Sequence, residues 1–240
     1  MRILKAAATL GCAVLFSAIA GGAANAAVIQ TFDSGWYQNS GFTAGVNNIN
    51  VGSSNLSGAI YHNWLAFNLA GLAGENVTGA TLTFYGGNGV NTSSTSETLG
   101  LFDYTGSINS LLADSQFNVG IYTDLGDGNS YGTAVVASGP IQEFSVILSP
   151  EAIAGLNAAA HDLADNRFVF GGSLLSISGP FANEQLFAIF GPGAALSPAA
   201  FLTLQTAPVP EPSTLAMVLG LGGAAMMARR KQKKSKSLSA

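Results

Sequence analysis

Residues 128–132, Gly-Asn-Ser-Tyr-Gly, match the G-x-S-x-G pattern that surrounds the nucleophilic serine of many hydrolases. In those enzymes the serine lies in a sharp turn between a strand and a helix. Here Ser130 follows a polar, glycine-containing segment and precedes a β-type run at 133–137. The flanking sequence therefore predicts a glycine-rich turn rather than a catalytic elbow.

Oxygen-bearing side chains are concentrated around the start of this turn. Asp124, Asp127 and Asn129 carry the hard oxygen ligands that Ca²⁺ uses. Their spacing does not match an EF-hand loop, which has ligands at alternate positions and a late glutamate. We favour a cluster of Asx turns and assign no cofactor, with a calcium site at these three residues as the alternative.

Histidine and cysteine offer little for catalysis. The chain has two histidines, and its one cysteine, Cys12, lies near the N-terminus. His62 falls on a predicted strand and His161 at the end of a predicted helix, where its charge suits the helix dipole. We predict structural roles for both and assign no catalytic residue. Carboxylates distant in sequence that converge as a glycosidase pair remain an alternative.

Trp64 is the main candidate for stacking on a sugar ring. On the predicted strand 62–69, Leu65, Phe67 and Leu69 share one face, so Trp64 should lie on the opposite face. We expect a loop or the helix to cover this face, and an exposed indole that stacks on a sugar is the alternative. Trp36, beside Tyr37, is the second candidate for sugar contact.

The elements that position these residues are mostly short strands. Alternating apolar and polar residues predict strands, separated by Gly-, Asn- and Ser-rich turns, at 28–32, 62–69, 80–85, 98–104, 132–137, 141–148, 167–171, 186–190 and 200–204. Ser149-Pro150-Glu151 predicts one helix that ends near His161. We predict an all-β, two-sheet sandwich, jelly-roll-like, with one short helix.

Charge is distributed unevenly. The predicted body, residues 27–208, has Arg167 as its one Lys or Arg, against twelve acidic residues, giving a formal charge of −11. Such a surface cannot neutralise a row of phosphates, so nucleic acid is excluded as a partner.

Residues 1–26 have the parts of a secretory signal peptide. Arg2 and Lys5 precede an apolar run at 6–20, and Ala24-Asn25-Ala26 is an A-x-A site. Signal peptidase should therefore cut between Ala26 and Ala27. A lipoprotein at Cys12 is disfavoured because the apolar run continues past it.

The C-terminus has three adjacent parts. Pro210, Glu211 and Pro212 lie in an extended strip, an uncharged run follows at 215–228, and a basic cluster closes it. That cluster contains Arg229, Arg230 and Lys231. As a helix the run would be about 21 Å long, and the cluster would stay cytoplasmic. We predict a short membrane helix and then a polar tail at 235–240.

These C-terminal residues closely resemble the PEP-CTERM sorting signal, over 209–234. The resemblance implies processing by an exosortase of a Gram-negative bacterium that makes extracellular polysaccharide. It also implies Pro210, Glu211 and Pro212 as the recognised residues. The precursor would be anchored transiently in the inner membrane and then reach the cell surface or the medium.

The body is similar to extracellular sandwich domains related to carbohydrate-binding modules, over residues 60–205. The similarity rests on Phe67-Asn68-Leu69 and on the run Val77-Thr78-Gly79-Ala80-Thr81-Leu82.

The sequence therefore favours an exported, non-enzymatic surface or matrix protein that is sorted by an exosortase and associated with polysaccharide. We expect the preferred glycan to be neutral. Two alternatives stay open. One is a carbohydrate-binding module proper, and the other is a small secreted glycan hydrolase that uses carboxylates.

Overall fold

A computed structural model describes residues 25–40, 43–44, 49–84, 91–113, 118–139, 143–187 and 200–209. These residues form two antiparallel sheets, so the prediction of an all-β sandwich is confirmed. The signal segment up to residue 24 and the sorting segment from Pro210 onward lie outside the described residues.

The smaller sheet has four strands in the order β1-β13-β6-β10. They are β1 (Asn25–Gln30), β6 (Glu75–Phe84), β10 (Phe144–Ile147) and β13 (Ala200–Pro208). β13 lies between β1 and β6, and the β13–β6 ladder contains an irregularity after Gln205. The last described strand of the chain is therefore paired on both sides.

The larger sheet has nine strands, seven of them in the order β7-β12-β4-β5-β11-β8-β9. Two further strands are attached to it, since β2 pairs with both β5 and β3. Its strands are β2 (Asp33–Gln38), β3 (Thr43–Ala44), β4 (Val51–Ser53), β5 (Ile60–Asn68), β7 (Asn91–Thr92), β8 (Ser96–Asp103), β9 (Ser130–Ala137), β11 (Arg167–Leu174) and β12 (Glu184–Leu186).

All nine predicted strands overlap observed ones, but the prediction missed β2, β3, β4 and β7. Two of these four are only two residues long, and β4 has three. So few residues do not establish an alternating pattern, and their pairing depends on longer neighbours.

The described residues contain three α-helices where one was predicted. The predicted one is α3 (Pro150–Ala160), whose first turn is capped by Ser149 Oγ accepting from the Ala152 amide at 3.3 Å. His161 follows its last residue, as predicted. The other two, α1 (Ile108–Leu112) and α2 (Val119–Asp124), are so short that they depend on tertiary contacts for stability.

Two hydrophobic cores result. The inner core fills the sandwich and is also covered by α3, and its largest fully buried side chains include Phe67, Phe84, Phe170 and Phe187. The outer core comprises Tyr37, Trp64, Ala66, Leu111, Ile121, Leu125 and Val169. It lies on the opposite face of the larger sheet, beneath α1 and α2. We call residues 104–113 and 118–129, which include both helices, the outer layer.

Candidate functional site

Trp64 lies on the side of β5 opposite to Leu65, as predicted, and it is not exposed. Only 1% of its surface is accessible, because the outer layer covers it. Its Nε1 has no hydrogen-bond partner among the described residues. The covered indole expected at Trp64 is therefore observed, and the alternative, an open indole for sugar stacking, is wrong.

Trp36 is half-buried on β2 and stands edge-on to Tyr61, with ring centroids 5.0 Å apart at 89°. The strand register places Trp36 opposite Asn63, which is buried. Tyr37, the next residue, points to the other face and belongs to the outer core. The two neighbouring rings therefore do not form one flat platform.

The G-x-S-x-G segment is a turn that leads into a strand. α2 precedes it, Gly128 has a φ of +96°, and Ser130 is the first residue of β9. A nucleophile elbow requires the reverse order, a strand before the serine and a helix after it. The turn prediction is therefore confirmed for Gly128 and Asn129, whereas Ser130, Tyr131 and Gly132 already belong to β9.

Of the three calcium candidates, Asp124 and Asn129 are engaged by different partners. Asp124 accepts hydrogen bonds from the Thr105 and Gly106 amides at 3.0 and 2.9 Å, and from Thr105 Oγ1 at 2.9 Å. Asn129 instead donates to the Asp103 carboxylate through its amide and its Nδ2, both at 2.7 Å. Within the described part of the chain, no group of three His, Cys, Asp or Glu side chains is arranged to hold a metal. Asp124 fixes the turn after β8, and Asn129 fixes the turn before β9.

His62 joins the larger sheet to the outer layer. Its Nδ1 lies 2.7 Å from the Tyr122 carbonyl oxygen, and its ring stacks on that of Tyr122 at 4.1 Å. Burial lowers the pKa of His62, and the hydrogen bond to Tyr122 and the nearby Asp127 partly offset this. The neutral imidazole is thus the form that fits this packing.

His161 lies elsewhere, with Nε2 3.0 Å from the carbonyl oxygen of Glu75. Both histidines contact backbone carbonyl groups that hold neighbouring elements together. The structural roles predicted for them agree with these contacts.

Two glutamates are buried in the larger sheet, Glu97 at 1% exposure and Glu184 at 2%. Glu97 accepts hydrogen bonds from the hydroxyls of Thr92 and Ser176. Glu184 accepts from the Ser178 amide at 2.7 Å and the Ser178 hydroxyl at 2.6 Å. A carboxylate pair for glycoside hydrolysis must flank a substrate cleft. These two acids are instead enclosed and occupied by protein donors.

An open groove of about 660 Å³ lies in the outer layer. It runs between the turn after β8 and the two short helices. Its lining residues are Tyr104, Thr105, Gly106, Ser107, Ser110, Asn118, Gly120, Ile121, Thr123, Asp124 and Asp127. The groove thus contains one aromatic ring, several hydroxyls, one amide side chain and two carboxylates.

Tyr104 is held in place at the groove wall. Its hydroxyl donates to the Ser107 carbonyl oxygen at 3.2 Å, and its ring packs against the outer core. A Cβ added at Gly106 would come within 2.5 Å of the Tyr104 hydroxyl, so the glycine allows this close approach. Burial, together with the charge of Asp124, raises the pKa of Tyr104 to about 12. The phenol therefore remains protonated at neutral pH.

A second groove, of about 490 Å³, adjoins the first and shares Gly106 and Ser107 with it. It contains the ion pair of Arg167 and Asp165, whose Nη2 and Oδ2 atoms are 2.7 Å apart. Arg167 also donates to Asn109 Oδ1 at 2.7 Å, which ties β11 to α1. The two grooves are separated by the turn at residues 105–107.

The sequence reading missed the groove because α1 and α2 were not predicted. Local signals for these helices exist. Ser107 Oγ caps α1, and Asn118 Oδ1 accepts from the Gly120 and Ile121 amides at the start of α2. Ser and Asn are preferred helix N-caps, but they are also frequent in the turns of this chain.

The two ends of the body are paired with one another. Asn25 and Ala26 of β1 lie opposite Thr206 and Gln205 of β13, so the predicted signal cleavage site is inside this ladder. β13 ends at Pro208, and the Val209 amide donates to the Gly74 carbonyl oxygen at 2.9 Å. The chain therefore leaves the folded body beside its predicted mature N-terminus.

Residues 208–231 match the PEP-CTERM protein-sorting motif. The match confirms the sorting signal predicted from Pro210, Glu211 and Pro212, and it supports an exported protein with a C-terminal anchor that an exosortase processes. No curated protein matches the chain. Among the described residues, no helix is long and apolar enough to cross a membrane. The predicted membrane run at 215–228 and the basic cluster at Arg229, Arg230 and Lys231 lie outside them.

Proposed function

We propose that this chain is a non-enzymatic surface or matrix protein that an exosortase delivers and that associates with extracellular polysaccharide. The observation that carries the proposal is the sorting motif at 208–231, which begins at the last residue of β13. An exosortase would thus meet a folded sandwich followed directly by its recognition motif. Signal peptidase at Ala26 and Ala27 is the other processing partner.

A binding or structural role is favoured over hydrolysis by the placement of the acidic residues. The buried carboxylates accept hydrogen bonds from Ser and Thr, and the turn carboxylates hold loops. The serine of the G-x-S-x-G segment lacks the strand–turn–helix context that exposes a nucleophile. These arrangements support structural roles for the groups that a hydrolase would need.

The processing claim is tested in the native host by mass spectrometry of the surface and medium fractions. The mature chain should begin at Ala27 and lack the residues from Arg229 to Ala240, and deleting the exosortase should leave the precursor in the inner membrane. Glu211→Ala should trap the precursor in the same way. Glu143→Gln, an exposed acid in the body, is the matched control and should be processed normally.

Two results would contradict the proposal. One is a surface form that retains Arg229 to Ala240 whether or not the exosortase is present. The other is turnover of any neutral or acidic glycan by the purified mature protein, which would establish the hydrolase alternative.

A further inference from the structure

The groove in the outer layer is lined by side chains that can accept hydrogen bonds, and the described part of its wall carries no positive charge. Asp127 is exposed, and its carboxylate accepts no hydrogen bond from the described residues in the structure. Asp124, by contrast, is engaged by the turn at Thr105 and Gly106. Asp127 is therefore available to a ligand, whereas Asp124 fixes the shape of the wall.

Electrostatics restricts the ligand. Among the described residues, no Lys or Arg lines this groove, and the one arginine, Arg167, is paired with Asp165 in the adjoining groove. An anionic ligand would approach a body of formal charge −11 without a cation to receive it. The ligand should instead donate hydrogen bonds and carry no negative charge.

The groove combines this polarity with one aromatic surface. Tyr104 lines it while its hydroxyl is engaged by Ser107, so the part of the ring that faces the groove has a fixed orientation. Sugars have both kinds of complementary surface, because their hydroxyls donate to carboxylates and their C–H faces lie on aromatic rings. The volume is within the range of ligand sites.

We propose that the groove between Tyr104 and Asp127 binds a neutral saccharide chain. Asp127 accepts hydrogen bonds from sugar hydroxyls, Tyr104 provides the apolar contact, and Asp124 is a positioning residue that holds residues 105 and 106. The chain continues over the turn at 105–107 into the adjoining groove, so an oligosaccharide binds more tightly than a monosaccharide. This inference rests on the proposed function for its polysaccharide partner, and it moves the contact site from Trp64 to the outer layer.

The test uses the processed protein purified from the native host. It is titrated by calorimetry with neutral oligomers of glucose, mannose, galactose and N-acetylglucosamine, with polygalacturonate as the acidic probe and oligolysine as the cationic one. At least one neutral oligomer should bind, and its monosaccharide should bind about tenfold more weakly. Polygalacturonate should not bind in the absence of divalent ions.

Variants then locate the site. Tyr104→Leu and Asp127→Asn should each weaken binding of the neutral oligomer by about tenfold, which is the effect expected for a central contact. Glu143→Gln is the charge control and Phe32→Leu, at an exposed ring outside the groove, is the aromatic control. Neither control should change affinity.

Tyr104 also contacts the outer core, so Tyr104→Leu is compared with Ser110→Gln. Ser110 is exposed on α1, and the longer neutral side chain narrows the groove without removing a buried contact. Thermal unfolding of each variant shows whether the fold is retained. Asp127→Asn and Ser110→Gln should both weaken binding at an unchanged Tm.

Three results would overturn the inference. They are the absence of binding to every neutral oligomer, neutral binding that survives both Asp127→Asn and Ser110→Gln, and binding of oligolysine alone, which would make the groove a site for cationic segments. Each of these would leave exosortase processing untouched, so the groove assignment and the sorting proposal fail separately.

Discussion

The inner and outer cores bury the two faces of the same strand, β5, by different means. Leu65 and Phe67 face a second sheet, which covers them with long strands and with α3. Trp64 and Ala66 face the outer layer, where the cover consists of two helices of five and six residues and their turns. The first cover belongs to the sandwich itself, whereas the second is an addition to one of its faces.

Burial alone therefore does not indicate which part of this fold is the more stable. Both cores exclude water from large side chains. Short helices, however, rely on a few tertiary contacts, and such segments open at a lower free energy than the ladders of a sheet. We therefore expect the outer layer to open locally while the sandwich remains folded.

The largest effect should come from truncating equivalent rings on the two faces. Phe67→Ala removes a fully buried ring that packs edge-on to Phe170, and should lower the free energy of unfolding by about 3–5 kcal/mol. Trp64→Ala should cost about 3 kcal/mol, at the lower end of this range, because short helices can settle into the space. Denaturant unfolding measures both.

Hydrogen exchange provides the sharper comparison for these two variants. Trp64→Ala should increase exchange mainly at the α1 and α2 amides, while Phe67→Ala should increase it throughout both sheets. Equal increases everywhere in Trp64→Ala would mean that the two cores unfold as one unit.

A smaller effect is expected where the outer layer approaches the sheet most closely. A Cβ at Gly171 would lie 2.4 Å from the Leu125 carbonyl oxygen and 2.7 Å from its Cα, so Gly171→Ala should push α2 away from β11. This substitution should lower the free energy of unfolding by about 1–3 kcal/mol. Gly71→Ala is the control, because a Cβ at Gly71 meets no atom within 4 Å. A Gly171→Ala protein as stable as wild type would show that the layer shifts freely.

These contacts also indicate how far the sequence could predict the fold. The run Trp64-Leu65-Ala66-Phe67 is four consecutive apolar residues, a pattern typical of a strand buried on both faces. The alternation around it predicts a half-buried strand instead, which leaves both a covered and an exposed indole open for Trp64. The strand and the side on which each of its residues lies were predictable. The helices α1 and α2 that cover Trp64 were not, because five- and six-residue helices have too few turns to show a period.

The same distinction between local sequence signals and long-range contacts applies to the candidate site. Ser149, Pro150 and Glu151 predict α3 because all of its start signals are local. The groove instead depends on Asp124 reaching back to residues 105 and 106, across eighteen or nineteen positions in the chain. No local pattern contains that contact, so the sequence identified Asp124 and Asp127 as oxygen-rich residues but not the groove they line.

A pH effect should distinguish the outer layer from the inner core. Burial keeps the pKa of His62 below its unfolded value of 6.5, so the unfolded chain binds the proton more readily. Stability from this group is therefore fully present above about pH 6.5 and is lost as the pH falls toward the folded pKa. Urea midpoints measured between pH 7.5 and 5.5 should fall, and His62→Gln should reduce that fall. An unchanged slope in His62→Gln would assign the acid sensitivity to carboxylates.

The smallest effect should come from the tie between β11 and α1. Asn109→Ala removes the acceptor for Arg167 Nη2 at the exposed rim of the outer layer. We expect the free energy of unfolding to fall by about 0.5 kcal/mol, because exposed contacts of charged groups contribute little to stability. Adding 1 M salt should not change this difference appreciably, since the removed partner is uncharged. A loss as large as that of Gly171→Ala would make this contact a main support of the layer.

The position of β13 has a mechanical consequence. This strand lies between β1 and β6, and the segment that leads to the sorting signal continues from its end. Tension on that segment acts along the strand, and it loads both neighbouring ladders in shear. Many hydrogen bonds must then break together rather than one after another. The sandwich is thus built to resist being pulled from the end by which it is held.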